Sequence, residues 1–199
     1  MRLGIFGGTF DPPHIGHLIL AAEARYQLNL QRVLWVLTPT PPHKSPDQIS
    51  PLQQRRQLVE AVIATDPAFA LSTVDIDRPP PHYALDTVRF LGEQYPAAEL
   101  VYLMGGDSLV DLPEWHQPQA FVQACHQIGV MRRPGEHIDL DQLGGQIPAL
   151  RGKVQWVDAP LLEIAASEIR ARRRAGRPYR YFLPESVYHL IEEMRYYSA

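Results

Sequence analysis

The stretch GIFGGTFDPPHIGHLIL, residues 4–20, runs from an apolar segment through a glycine pair into a second apolar segment, and carries two histidines, His14 and His17, three positions apart. Its start belongs to RLGIF (2–6), a short run with the character of a buried strand, and its end opens GHLILAAEARYQL (16–28), where the apolar spacing is helical. Glycines at 7 and 8 let the chain turn sharply and bring backbone N–H groups close to an anion. Thr9 adds a hydroxyl donor. A helix beginning at Ile15 or Gly16 points its free N–H groups and positive dipole end at the same place as the imidazoles. Strand, glycine turn and helix read as the first βα unit of an α/β fold.

The rest of the chain repeats that alternation. Strand-like runs recur as RVLWVL (32–37), FALSTVDI (69–76), ELVYLM (99–104), QIGVM (127–131) and KVQWV (153–157), separated by helical stretches at 52–66, 83–95 and 118–126. The pattern predicts a Rossmann-like, doubly wound parallel sheet of about five to six strands with helices on both faces. Ligands in such sheets sit at the carboxyl ends of the strands, so residues 7–17 are the first place to expect chemistry. Two proline-dense loops follow the second and third strands, TPTPPHKSPDQISP (38–51) and RPPPHY (78–83). The first is long enough to be functional.

The C-terminal stretch reads as a small helical segment of two helices. One has Ser167 as N-cap and stops at Gly176; the other has Pro184 at its first position and places Val187, Leu190, Ile191 and Met194 on one face. We expect residues 1–165 to form the nucleotide-binding core and 166–199 to complete the same domain.

Composition narrows the function classes. The chain has 199 residues, 45% of them hydrophobic, enough for one full core. A net charge of -3 gives no global basic field of the kind that wraps nucleic acid or lies on an acidic membrane. The single cysteine, Cys125, lies between apolar neighbours and reads as a small buried thiol suited to a reducing cytoplasm. No apolar run has the length of a membrane helix, and the start of the sequence has no leader pattern.

Three readings of the histidine pair compete. A zinc site would want further ligands; Asp11, His43 and His82 exist, but none has a ligand-type spacing and there is no second cysteine. The pair could instead cap or pack a helix start. The glycine turn, Thr9 and the helix dipole favour the third reading, in which the imidazoles hold phosphate.

GGTFDPPHIGH resembles the signature G-G-T-F-D-P-x-H-x-G-H of the bacterial nicotinate-nucleotide adenylyltransferases, within the superfamily of nucleotidylyltransferases that share H-x-G-H. The likeness continues in chain order through PPHK (41–44), QRRQLVEAVI (54–63), HYALDTV (82–88), LMGGDSLVDLPEW (103–115), MRRPG (131–135) and IAASEIR (164–170). It implies adenylyl transfer from ATP to nicotinate mononucleotide, with Mg²⁺ accompanying ATP and held by phosphates and water. His14, His17, Lys44 and Arg170 would be the catalytic groups. ATP would lie against Gly7, Gly8, Thr9, Phe10, His17, Gly105, Asp107, Ile164, Ser167 and Arg170, and the nicotinate nucleotide against Tyr83, Ala84, Trp115 and Arg132. Partners would be small molecules alone, with no nucleic acid or membrane, and a homo-oligomer is compatible with the pattern. The acceptor is a phosphate monoester with a second pKa of about 6, so it is largely dianionic at neutral pH and requires no general base. The residues have to position two polyanions and neutralise the leaving charge. Asp11 opposes a triphosphate, so its expected role is to orient the turn or a histidine.

The sequence departs from the family pattern at Ala165 and Ala166, where the family has a serine pair, at Ser167 in place of threonine, and at Ala84 in place of threonine. Side-chain hydroxyl contacts at 165 and 166 are lost while backbone contacts to adenine or phosphate survive, and Ala84, in the segment that reads the nicotinate end, opens nicotinamide mononucleotide as an acceptor. Phosphopantetheine adenylyl transfer and a non-catalytic nucleotide sensor are the remaining alternatives.

Overall fold

A computed structural model describes residues 1–41, 45, 48–64, 66–132, 138–160 and 162–198, the side chain of residue 132 excepted. Six strands form one sheet: β1 (Arg2–Gly8), β2 (Arg32–Leu37), β3 (Phe69–Ser72), β4 (Glu99–Gly105), β5 (Gln127–Arg132) and β6 (Val154–Asp158). Every pair is parallel, in the order β3-β2-β1-β4-β5-β6. Strand order therefore reverses between β1 and β4, and the crevice at their carboxyl ends is where such a fold receives ligands.

Among the described residues, eight helices cover the two faces. Alternate strand residues point to opposite sides, so each strand feeds two cores. Phe6, Val33, Trp35, Leu37, Val101, Leu103 and Val157 pack with α1 (Ile15–Gln27), α2 (Leu52–Ile63), α7 (Ala166–Arg174) and α8 (Glu185–Glu193). Leu3, Ile5, Leu34, Val36, Tyr102, Met104, Ile128 and Val130 pack with α3 (Ala84–Gln94), α4 (Gly106–Val110), α5 (Pro118–Ala124) and α6 (Leu140–Gln146). Ile169 of α7 and Val187 and Ile191 of α8 belong to the same core as α1 and α2.

The boundaries shift where side chains intervene. β3 ends at Ser72 rather than 76, because Val36↔Ser72 is its last pairing and the Asp77 N–H donates to the Thr73 carbonyl at 2.9 Å in a turn. α2 stops at Ile63, and the Asp66 carboxylate then accepts the Ala68 N–H at 2.8 Å. α4 and α6 escaped sequence reading: α4 is short, and α6 contains Gly144 and Gly145 yet is started by Asp139, which accepts from the Asp141 and Gln142 N–H groups. The N-cap of α7 is Ala165, not Ser167, which lies inside the helix, and Ile169 is its buried residue. Pro184 is the N-cap of α8 rather than its first residue, and Met194 caps its end, 47% exposed rather than on the buried face.

Arg55 sits on the buried stripe of α2 beside Leu58, Val59 and Val62 and is 1% exposed. Its Nε donates to the Ser50 carbonyl at 2.9 Å, Nη1 to those of Thr9 and Thr38 at 3.1 and 2.9 Å, and Nη2 to that of Pro39 at 2.8 Å. Burial pulls its pKa down, and the nearby Asp11 charge opposes that shift. The loops leaving β1 and β2 and the entry to α2 are thus tied to one planar cation. Arg55→Met removes the donors and leaves these carbonyls without them, at a cost of about 3–5 kcal/mol, visible as a lower urea midpoint.

Candidate active site

The chain leaves β1 at Gly8 and must reverse into α1 within a few residues. Phe10 does so in the left-handed region, at φ 46°, a conformation costing about 1–2 kcal/mol for an L-residue. The ring repays this by packing edge-on to Phe6 at 5.3 Å and His17 at 5.2 Å, and tilted on Trp35 at 4.9 Å. Gly8 makes the packing possible, since a Cβ there would stand 2.8 Å from the Phe10 ring.

His14 is the N-cap of α1, in extended backbone, and its N–H donates to His17 Nδ1 at 3.1 Å. With Nδ1 accepting, the proton of a neutral His17 ring is on Nε2. The two rings lie 3.7 Å apart between centroids. Gly16 has a direct steric reason, because a Cβ at that position would come within 3.2 Å of the His14 imidazole. His14 is 8% exposed, and its Nδ1 is buried without a protein partner. Burial lowers its pKa to about 4, so the ligand-free imidazole is neutral, although a protonated one would be the better phosphate donor.

Asp11 gathers three parts of the chain. Its Oδ2 accepts the Ser50 N–H at 3.1 Å and lies 3.6 Å from Arg170 Nη1, its Oδ1 accepts the Tyr197 hydroxyl at 2.8 Å, and its carbonyl accepts Arg170 Nη1 at 2.6 Å. It orients the turn, as expected, but through these groups rather than a histidine.

Together these residues border a cleft of about 930 Å³ lined by Thr9, Phe10, Asp11, His14, His17, Gln48, Ile49, Ser50, Gln54, Ala166, Ser167, Arg170, Arg174 and Tyr197. The N-terminus of α7 opens onto it with no side-chain cap, so its N–H groups and dipole face the space. Imidazole, guanidinium and helix terminus converge there, an arrangement that can hold a polyanion and stabilise charge developing on it.

The expected site residues fall into two groups. Thr9, Phe10, His14, His17, Ser167 and Arg170 share the cleft, while Gly7, Gly8, Gly105, Asp107 and Ile164 are not among its lining residues. Gly105 and Asp107 lie across the strand-order reversal, at the end of β4 and the start of α4. Tyr83 and Trp115 are not among the cleft's lining residues and make ring contacts elsewhere. Tyr83 stacks on His116 at 4.0 Å and 16°, and Trp115 tilts against Phe121 at 5.3 Å. The loop before Tyr83 is held by Asp75, which accepts from Thr87 Oγ1 at 2.7 Å and from Arg78. Ala84 is the first residue of α3. Lys44 and the Arg132 side chain lie outside the described residues.

Sequence reasoning missed Arg55, Tyr197 and His116. Arg55 left a signal, a charge on an otherwise apolar helical stripe. Tyr197 left none, since its partner is 186 positions away.

The model of the cytidylyltransferase-like family matches residues 5–172. A protein of Thermomicrobium roseum named "probable nicotinate-nucleotide adenylyltransferase" is 46% identical over 92% of this chain and 85% of its own length. The chain belongs to this family. The nicotinate-nucleotide adenylyltransferase of Bacillus subtilis is 33% identical over 100% of this chain and 99% of its own. Among solved structures, the Plasmodium falciparum nicotinic acid mononucleotide adenylyltransferase complexed with NaAD superimposes with a TM-score of 0.77 over 98% of this chain and 97% of that one. At 17% identity the likeness speaks for the fold.

The His14 environment has two measurable consequences. In NMR titrations its ring should protonate with a midpoint near 4, and inorganic tripolyphosphate should move that midpoint upward. Because the unfolded chain takes up the proton at about 6.5, folding stability should be complete above that pH and fall as pH drops from 6.5 towards 4. The corresponding decline in unfolding free energy should be absent in His14→Gln.

Proposed function

We infer that the protein is an enzyme that transfers the adenylyl group of ATP to nicotinate mononucleotide, releasing diphosphate and forming deamido-NAD. The observation that carries this reading is the convergence of His14, His17, Arg170 and the uncapped start of α7 on one cleft at the carboxyl edge of the sheet. The relatives' names supply the substrate class.

A phosphate oxygen of the mononucleotide attacks the α-phosphorus of ATP while the bond to diphosphate breaks on the opposite side. The acceptor needs no general base. His17 and His14 donate to the reacting phosphates, and the approach of a polyanion favours the protonated form of His14 that burial disfavours in its absence. Arg170 and the N–H groups of α7 receive the triphosphate, and Lys44 from the loop after β2 joins them. Gly7, Gly8, Thr9 and Phe10 form the phosphate turn. Gly105, Asp107, Ile164 and Ser167 serve the adenosine side, with Asp107 accepting ribose hydroxyls. Tyr83, Ala84, Trp115 and Arg132 take the pyridine end.

Mg²⁺ brought with ATP and held by phosphates and water would supply charge neutralisation for the departing diphosphate. The described residues fit an ion carried by phosphates and water, because among them the carboxylate lining the cleft, Asp11, is already engaged by Ser50, Tyr197 and Arg170. We place the enzyme in the cytoplasm, where the buried Cys125 thiol, its pKa pushed up to about 12 by burial, stays reduced.

Diphosphate release should be followed with ATP and Mg²⁺ plus, separately, nicotinate mononucleotide, nicotinamide mononucleotide or phosphopantetheine. Release with neither pyridine mononucleotide overturns the reading. Preference for the amide would point to Ala84, where the family's threonine hydroxyl is missing. His17→Ala should lower kcat roughly 10²–10³-fold with a smaller effect on ATP binding.

A further inference from the structure

A carboxylate is an awkward neighbour for a polyphosphate, yet Asp11 is part of the cleft wall. What covers it comes from the other end of the chain. α8 ends at Glu193 with Met194 as its C-cap, and the backbone then passes through left-handed residues at Arg195 and Tyr197, with φ of 53° and 58°. The second of these is an unfavourable conformation for a bulky aromatic residue, and such strain persists only where surroundings over-determine it. Here they do: the Tyr196 N–H donates to the Ile191 carbonyl at 3.0 Å, the Tyr196 hydroxyl donates to Gln57 of α2, and the Tyr197 hydroxyl donates to Asp11 Oδ1 at 2.8 Å. Burial and the adjacent carboxylate push the Tyr197 phenol far above its ordinary pKa, so it remains a donor.

The two Asp11 oxygens are thereby divided. Oδ2 faces the Ser50 N–H and Arg170, and Oδ1 faces Tyr197. Arg170 is bound to the Asp11 carbonyl and held only loosely, at 3.6 Å, by the carboxylate, so much of its guanidinium is left for a ligand. Without the tyrosine hydroxyl, Oδ1 would lack a donor and would either draw Arg170 closer or present bare negative charge to the cleft.

We propose that Tyr197 is a positioning residue for ATP: its hydroxyl covers the Asp11 carboxylate and so keeps Arg170 available to the triphosphate. This rests on the adenylyl-transfer reading above. The residue touches no reacting atom in this scheme and acts through Asp11 and Arg170.

The test is Tyr197→Phe, which keeps the ring and its packing. KM for ATP should rise about five- to tenfold, the scale of one hydrogen bond, while KM for nicotinate mononucleotide stays within about twofold and kcat falls less than about threefold. Calorimetry with ATP alone should show the same weakening. In an Asp11→Asn background, with no carboxylate to cover, the further effect of Tyr197→Phe should shrink to less than about twofold. Unchanged ATP affinity in Tyr197→Phe overturns the inference, as does an equal rise in both KM values with a lower melting temperature, or full multiplicativity in the Asp11→Asn background. Should the double variant not fold, ATP calorimetry of the single variant decides. A wild type that binds ATP but transfers it to neither pyridine mononucleotide overturns the reading above and leaves this inference to be judged by calorimetry.

Discussion

The site depends on a cation that no substrate is expected to touch. Arg55 is buried under the loops that leave β1 and β2, and its donors are spent on carbonyls of Thr9, Thr38, Pro39 and Ser50. Those carbonyls belong to segments without regular pairing, and buried backbone acceptors must find donors somewhere. One planar guanidinium satisfies them together and pins the turn after β1 to the entry of α2. Asp11, Ser50 and the cleft wall are placed by that arrangement.

Around this fixed centre the charges follow a consistent order. Positive groups point into the cleft: Arg170, Arg174 and the start of α7. Among the described residues, the carboxylate that lines the cleft, Asp11, is covered on both oxygens. His14 rests neutral because burial opposes its charge, and an arriving phosphate changes that balance. A site of this kind binds and stabilises through position and field rather than through an activated nucleophile, which matches a reaction whose acceptor is already ionised.

The parts of this protein that could be read in advance are those whose cause is local. Strand and helix alternation showed the parallel sheet, and the glycine pair with H-x-G-H marked the tight turn from β1 into α1, because Gly8 and Gly16 answer to neighbours only two residues away, Phe10 and His14. Local rules also misled. Ser167 has the chemistry of a cap, but Ala165 takes that place, and α7 begins at Ala166, ahead of the serine. Met194 fits the apolar face by spacing, yet the chain turns out at that residue and leaves it exposed. α6 was hidden by its two glycines, which argue against a helix that Asp139 nevertheless starts.

By itself, then, the sequence determined the fold class and the place of the glycine turn and histidine pair between β1 and α1, both consequences of short-range sterics and periodicity. Only the tertiary structure decided how the charges are apportioned: that His14 is desolvated, that Arg55 is spent on backbone, and that a tyrosine 186 positions away covers Asp11. The physical reason is that solvation and pairing of a charge depend on which distant segments fold against it, and no local pattern encodes that encounter.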